Sequence, residues 1–433
     1  MKLITILLAC LPAALFGQLT DGSILSPVNE GLPSWLRFSG EYRIRAEGYT
    51  GASYTPGNDQ GYLLSRFQLN MDAHFTPWFR VFAQMEDARV LGNDVIPDAF
   101  PYQDTFDLRQ AFIELGDVEK RHFGLRAGRQ ELKFGDERVL GSADWLNTPR
   151  TFDAVRATVN YGKLRVDAFS SSVVNPVDGT FDHSKAGEDL HGLYGTIGNV
   201  LPSATIEPYF LWHLGGGFKT EEGAPARRSA KTIAIRLARK TGHGKFDYTV
   251  HLLRQFGTLG SDTISAYAMD YNFGYKWLNT PLQPRLFADF ARASGDKNST
   301  DGKIGTYDQT YPSNHGLYGI VDLFGWRNLK DVNGGVVVAP AKKVSSRVAF
   351  HDYYLADAHD GLYNGVGNLV VRKPDGSAGS HIGEELEATA TWKMTRYLNT
   401  GIGWGHLFPG EFIQKATKGS GYNISWLTCT YTF

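Results

Sequence analysis

The stretch "LRFSGEYRIRAE" (36–47) decides the fold. Leu36, Phe38, Tyr42, Ile44 and Ala46 fall on one side of an extended chain, and Arg37, Ser39, Glu41, Arg43, Arg45 and Glu47 on the other. Successive side chains of a strand point to opposite faces, so this is a period-2 strand with one apolar and one polar face. It is longer than the roughly 5–6 residues of a globular strand. It matches the roughly 9–11 residues that a tilted strand needs to cross a bilayer.

The pattern recurs along the chain. In 264–277, Tyr267, Met269, Tyr271, Phe273, Tyr275 and Trp277 oppose Ala266, Ala268, Asp270, Asn272, Gly274 and Lys276. In 385–394, Leu386, Ala388, Ala390, Trp392 and Met394 oppose Glu385, Glu387, Thr389, Thr391 and Lys393. Aromatics gather near strand ends, as Phe75, Trp78, Trp277, Trp392, Tyr397 and Trp404 do, which suits interfacial girdles. A soluble sandwich also alternates, but its strands are short and its connections follow no rule of length.

The connections here do follow one. Tight turns are expected near Thr76-Pro77, Asp117–Arg121, Gly162-Lys163, Asn199–Ser203, Thr241–Gly244, Leu278–Gln283, Pro340–Lys343 and Thr395-Arg396. Longer, polar, glycine-rich loops are expected near 48–60, 90–104, 135–152, 175–189, 215–228, 257–263, 295–330, 358–380 and 408–420. Short periplasmic turns alternating with long extracellular loops define a transmembrane antiparallel β-barrel. Counting between connections gives about 18 strands, with 16 as the alternative because the strand near 331–340 is weakly patterned. Leu427, Cys429, Tyr431 and Phe433 alternate with threonines. Such an amphipathic last strand resembles the signal read by the barrel-assembly machinery, an expected partner during insertion.

Composition agrees with an all-β exported protein. The 44 basic and 45 acidic residues give no overall preference for nucleic acid. Residues 1–17, with Lys2 ahead of the apolar run "LITILLACLPAALFG", read as a cleaved signal peptide, leaving 18–433 as one barrel domain. Too little apolar chain precedes Cys10 for a lipoprotein signal, and Cys429 has no cysteine to pair with in the mature chain. No later apolar run approaches the roughly 20 residues of a membrane helix. The expected location is the outer membrane of a Gram-negative bacterium, in contact with its lipid, with a monomer favoured.

Charges cannot be solvated by lipid, so the polar phase faces the lumen. That phase assigns Arg37, Arg43, Arg45, Arg66, Asp72, Arg80 and Glu86 to the lumen, followed by Arg126, Arg156, Arg165, Asp167, Arg236, Asp247, Glu385, Glu387 and Lys393. In "TFDLRQAFIEL" (105–115) the phase changes, and Asp107 and Arg109 are read there as further lumen residues. Guanidinium stays charged and pairs bidentately with carboxylates, so an arginine-rich lumen favours anionic ligands. The same charges could instead tie the wall together by internal ion pairs.

The stretch "GRQELKFGDERVLGSADWLNTPRTFDAVR" (128–156) resembles the signature of the alginate-export family of outer-membrane proteins. A second resemblance covers 294–331, "SGDKNSTDGKIGTYDQTYPSNHGLYGIVDLFGWRNLKD". The resemblance implies an 18-stranded barrel with a narrow electropositive pore for an anionic polysaccharide. Carried over by position, it implies that Arg109, Arg129 and Asp153 face or flank the constriction, with Glu131, Asp136, Arg138, Trp145 and Arg150 at matching motif positions. A loop of this composition folded inward would narrow the lumen, with Trp145 and Phe152 as its anchors on the wall.

The function expected is passive passage of an anionic polysaccharide or oligosaccharide, as in alginate export. The main alternative is an anion- or sugar-selective porin working in uptake. An enzyme acting on glycans is weaker. Glu385/Glu387 and Asp136/Glu137 are paired carboxylates of a kind used in glycoside hydrolysis, but such spacing is common by chance. No G-x-S-x-G, H-E-x-x-H or P-loop occurs. No cofactor is called for, beyond calcium in the loop "DKNSTDG" (296–302), whose glycine and distal glutamate miss the EF-hand positions.

Overall fold

A computed structural model describes residues 23–92, 96–239 and 244–433. Residues 1–17, expected to be a signal peptide and containing Cys10, and most of the turn expected at 241–244 lie outside the described residues. A short helix α1 (Ser26–Glu30) precedes the first strands, β1 (Leu36–Thr50), β2 (Gln60–Thr76), β3 (Phe79–Leu91) and β4 (Asp104–Gly116). Next come β5 (Phe123–Gln130), β6 (Phe152–Tyr161), β7 (Leu164–Asn175), β8 (His183–Gly198) and β9 (Ala204–Lys219). The far wall is β10 (Pro225–Arg239), β11 (Phe246–Leu259), β12 (Asp262–Lys276) and β13 (Arg285–Ala293). A two-residue β14 (Lys303–Ile304) lies parallel to the start of β12. The sheet continues through β15 (Leu329–Val338) and β16 (Val344–Leu355), and a small hairpin of β17 (Gly361–Tyr363) and β18 (Leu369–Arg372) interrupts it. β19 (His381–Lys393), β20 (Leu398–Pro409), helix α2 (Glu411–Ala416) and β21 (Tyr422–Thr432) complete the chain.

Eighteen of these strands form a closed antiparallel barrel in which each strand pairs with the next in sequence. β21 closes on β1 from Glu41↔Thr432 to Thr50↔Asn423. The weakly patterned segment near 331–340 is β15, paired on both sides, so the count is 18 and not 16. Its run of small and β-branched residues, "VNGGVVV", hides the alternation without preventing the pairing. Beyond the closing register, Phe433 exchanges both backbone hydrogen bonds with Gly40, at 2.8 and 2.9 Å. A side chain at Gly40 would collide with the Phe433 ring, so glycine is needed for the seam to seat its last residue.

The two phases separate as the charge argument requires. Ile113, Val155 and Ile233 are about half exposed on the lipid side, whereas Arg43, Arg156 and Arg236 are buried on the lumen side. Trp35, Phe75 and Phe79 stack in a row at the rim that carries the short turns, with centroids 5.0 and 5.7 Å apart. Arg37 and Lys393 keep the lumen phase but lie at this open rim, exposed to water.

Three expected loops differ. Residues 257–263 form a tight hairpin, because β11 runs to Leu259 and β12 starts at Asp262. Gly257 and Gly260, both at positive φ, belong to the strand end and the turn. The 215–228 loop shrinks to 220–224, since both flanking strands extend beyond the apolar band. The segment 305–328 does not project outward at all. It enters the barrel.

Candidate functional site: a plugged lumen and its vestibule

Two segments fill much of the lumen. The first, 131–151, leaves the wall because β5 stops at Gln130 and β6 resumes only at Phe152. It crosses to β1 and β2, where arginines receive it. Arg43 donates to the carbonyl oxygens of Asp144 (2.8 Å), Trp145 (3.2 Å) and Leu146 (2.8 Å). Arg66 donates to those of Asp144 (3.0 Å) and Leu146 (3.3 Å) and pairs with the Asp144 carboxylate at 3.1 Å. Arg45 binds the Trp145 carbonyl and lies 3.9 Å above its indole ring. The ring stacks on His315 and meets Trp426 edge-on, so Trp145 is the anchor expected of it. A guanidinium suits this task because its planar fork can hold several carbonyls at once.

Toward the far wall, Arg138 donates to the Tyr318 hydroxyl (2.9 Å) and pairs with Asp270 of β12 at 3.2 Å. Asp136 lies 3.6 Å from Arg138 and 3.8 Å from Arg236 of β10. Burial alone would raise the Asp136 carboxyl, but the two guanidinium groups outweigh it and hold it at about 2. Arg150 is spent on the carbonyls of Gly141 (2.9 Å) and Pro312 (3.1 Å).

The second segment, 305–328, is apolar where the first is charged. Tyr307, Tyr318, Phe324 and Trp326 are almost wholly buried inside the barrel. The two segments join through a parallel bridge at Leu140↔Tyr311, with Phe152 edge-on to the Tyr311 ring. Glu385 and Glu387 of β19 accept the backbone amide of Ile320 at 2.9 and 2.8 Å. Tyr353 also donates to Glu385 (2.7 Å), and Arg347 pairs with Glu387. Gly319 has positive φ and packs so closely on Glu385 and Tyr353 that any side chain would clash. A third tie, Asp308, is bound by both Arg228 and Arg327, which pull its carboxyl well below the usual range against the effect of burial.

On the β3–β9 side the lumen remains open as a cavity of about 520 Å³. One rung of the wall crosses four strands as Arg80↔Glu114↔Arg126↔Arg156. At roughly 4.8 Å per strand, three guanidinium groups are spread over roughly 14 Å of wall with one carboxylate among them. Arg126 pairs with Glu114 at 2.5 Å, Arg80 with Asp72 at 2.7 Å, and Arg156 with Asp167 at 2.8 Å. Arg165 shares Asp167 at 2.7 Å and reaches Glu119 in the periplasmic turn at 3.0 Å. Lys133 hangs from the plug into this space, 2.7 Å from Glu131 and 39% exposed. Five cations and four carboxylates line the cavity, an excess of only one, so its cationic character lies mainly in the rung.

Arg109 faces the lumen through a β-bulge. Gln84↔Gln110 is followed by Met85↔Leu108, which leaves Arg109 as the extra residue. This is the phase change visible in 105–115. Arg109 binds Gln84 (2.5 Å) and Glu131 (2.5 Å) and lies 3.5 Å from Glu86, so it fastens the start of the plug to the wall.

Arg129 and Asp153 are placed differently from the expectation carried over with the motif. They are direct cross-strand partners, 2.9 Å apart, and share the phase of Leu125 and Val155, not that of Arg126 and Arg156. Strict alternation along β5 and β6 puts them on the outer side. They lie where the wall is short, beneath the β7–β8 connection: Arg129 also donates to the Asp182 carbonyl (2.8 Å) and the Leu108 carbonyl (3.3 Å). Lys133 is not singled out by the sequence, and 294–331 stands out there only as a motif within an expected outer loop. The apolar run "GLYGIVDLFGW" (316–326) was the available signal, since an outer loop has no need of one. In 296–302, oxygens of Asp296 and Asp301 accept the amides of Asn298 and Lys303 in their own turns.

The family model "Alginate export" matches residues 34–425. The chain belongs to that family. Among solved structures it is similar to Pseudomonas aeruginosa OccK11 (OpdR), with a TM-score of 0.60 and 12% identity, over 92% of this chain and 96% of the other. OccK5 (OpdH) gives 0.60 and 12%, over 92% and 98%. OccK2 (OpdF), solved in complex with glucuronate, gives 0.61 and 11%, over 92% and 98%. At these identities the likeness establishes the outer-membrane channel fold. No curated protein matches the chain significantly in sequence.

Proposed function

We propose that this family member is a passive pore of the Gram-negative outer membrane for anionic saccharides, whose carboxylates move along the Arg80–Arg126–Arg156 rung beside the plug. The rung is the observation that carries the reading. Three planar, permanently charged donors in register on a water-filled wall offer successive bidentate partners to a string of carboxylates. The carboxylates already paired with them keep each exchange weak, which a conducting site requires. The glucuronate bound to OccK2 supports a uronate as the ligand class. The paired carboxylates Glu385 and Glu387, of a kind used in glycoside hydrolysis, are committed to the backbone of the second plug segment, which favours a channel over an enzyme.

The test is planar-bilayer conductance of the purified protein with and without uronate oligomers. Anion-selective current that the oligomers block is expected, and the Arg80→Ala/Arg126→Ala double variant should lose much of both. Cation-selective current indifferent to the oligomers would overturn the reading. The alternative, a porin for small anions or sugars in uptake, uses the same arginines; block by monomeric uronate alone, with no gain from chain length, would favour it. Two accompanying proposals are that the Phe433 strand is the segment read by the barrel-assembly machinery and that the working unit is a monomer.

A further inference from the structure

The barrel wall has a notch. Because β5 ends at Gln130, the stretch of β4 from Asp104 to Gln110 has no strand beside it on that side. The β7–β8 connection, 176–182, fills the space. Asp178 accepts from Thr105 N (2.9 Å), Thr105 Oγ1 (2.7 Å) and Gln103 Nε2 (2.9 Å), which docks the connection on β4. This brings Asp182 against two carboxylates of β4. Asp104, Asp107 and Asp182 each offer an oxygen within 4.8 Å of the others, and all three residues are at most 7% exposed.

Three buried carboxylates in contact are costly unless a cation or protons neutralise them. The donors present do not suffice. Asp107 Oδ1 accepts the Asp182 amide (3.2 Å), and Asp182 Oδ1 accepts the Val177 amide (2.8 Å). Asp104 is 4% exposed and its buried Oδ1 has no donor. Among the described residues, two cations lie near the group. Arg129 comes within 3.6 Å of Asp107 but is already bound to Asp153, and Arg109 is bound to Glu131 and Glu86. Glu86 adds a further negative charge nearby and accepts from Gln68 (2.5 Å).

We propose that Asp104, Asp107 and Asp182 form a divalent-cation site of the calcium class, which pins the 176–182 connection to β4 and closes the notch. The geometry fits: oxygens bound to one calcium at about 2.4 Å stand at most about 4.8 Å apart. The all-carboxylate donor set favours a hard cation over zinc or copper, which prefer nitrogen or sulfur ligands. The site is distinct from the 296–302 turn.

The experiment is calcium binding to the intact, refolded barrel in lipopolysaccharide-free detergent, by equilibrium dialysis, with the heat-induced mobility shift recording stability. One tightly bound calcium is expected, with a melting point that falls on adding chelator. Asp182→Asn, which changes only the connection, should weaken binding by about tenfold or more and abolish the chelator response. Asp104→Asn should do the same, and Asp296→Asn should leave binding unchanged. Absence of calcium binding at millimolar concentration, an unchanged affinity in the folded Asp182→Asn protein, or loss on Asp296→Asn alone would each overturn the proposal.

Discussion

Arginines on two neighbouring arcs of the barrel obey the same alternation yet have different partners. On β1 and β2, Arg43, Arg45 and Arg66 are at most 6% exposed and spend most of their donors on backbone carbonyls of the 131–151 segment. On β3, β5, β6 and β7, Arg80, Arg126, Arg156 and Arg165 are paired with carboxylates beside an open cavity. The strand phase tells only that a side chain points inward. What it does there depends on what crosses the lumen opposite it.

The strongest way to break this distinction is to cut the first group. Arg43→Ala/Arg66→Ala removes these donors from the Asp144 and Leu146 carbonyls and the Asp144 carboxylate, while Arg45 keeps the Trp145 carbonyl, a loss of roughly 3–5 kcal/mol of plug anchoring. Single-channel conductance should rise several-fold in planar bilayers; unchanged conductance would mean that the plug stays in place without them. Glu385→Gln/Glu387→Gln attacks the second segment and should have a smaller effect, about 1–3 kcal/mol, because amide oxygens still accept hydrogen bonds. Limited proteolysis near Arg327 reports its release. In the second group, Arg156→Ala should leave conductance nearly unchanged while anion selectivity, read from reversal potentials, falls. Arg129→Ala, on the outer phase, should leave selectivity alone and lower only the melting temperature. A changed selectivity there would return Arg129 to the pore.

The smallest effect is set by pH. Asp136 is held at about 2, below the roughly 3.9 of a free aspartate, so its contribution is complete above about pH 4 and is lost as pH falls through about 2. The linkage is worth roughly 2 kcal/mol at most. The Asp136→Asn variant should therefore melt at a lower temperature than the unmodified protein above about pH 4, by a difference that narrows as pH falls through about 2. A variant indistinguishable from the unmodified protein at every pH would remove Asp136 from the plug's attachment.

Much of this was legible in the sequence. Alternation with alternating turn lengths gave the barrel and its strand number, and phase put Arg43, Arg66, Arg126 and Arg156 inside. Even the bulge at Arg109 left its mark, as the change of phase within 105–115. The destination of long loops was harder, because a polar loop in water and a polar loop in a wet lumen have the same composition. Only the apolar run at 316–326 betrays the second segment. For Arg129 and Asp153 the motif position implies the pore, whereas the local phase of β5 and β6 turns both outward.

The plug has a consequence for assembly. Arg43 and Arg45 sit on β1, the strand whose register with β21 turns the sheet into a cylinder. The segment they hold is emitted between β5 and β6 and is bridged at Tyr311 to a second one arising beyond β13. A sheet still open at β1–β21 therefore brings together only part of the contacts that hold either segment. Filling and closure share contacts: the Trp145 ring lies between Arg45 of β1 and Trp426 of β21, the two strands of the closing seam.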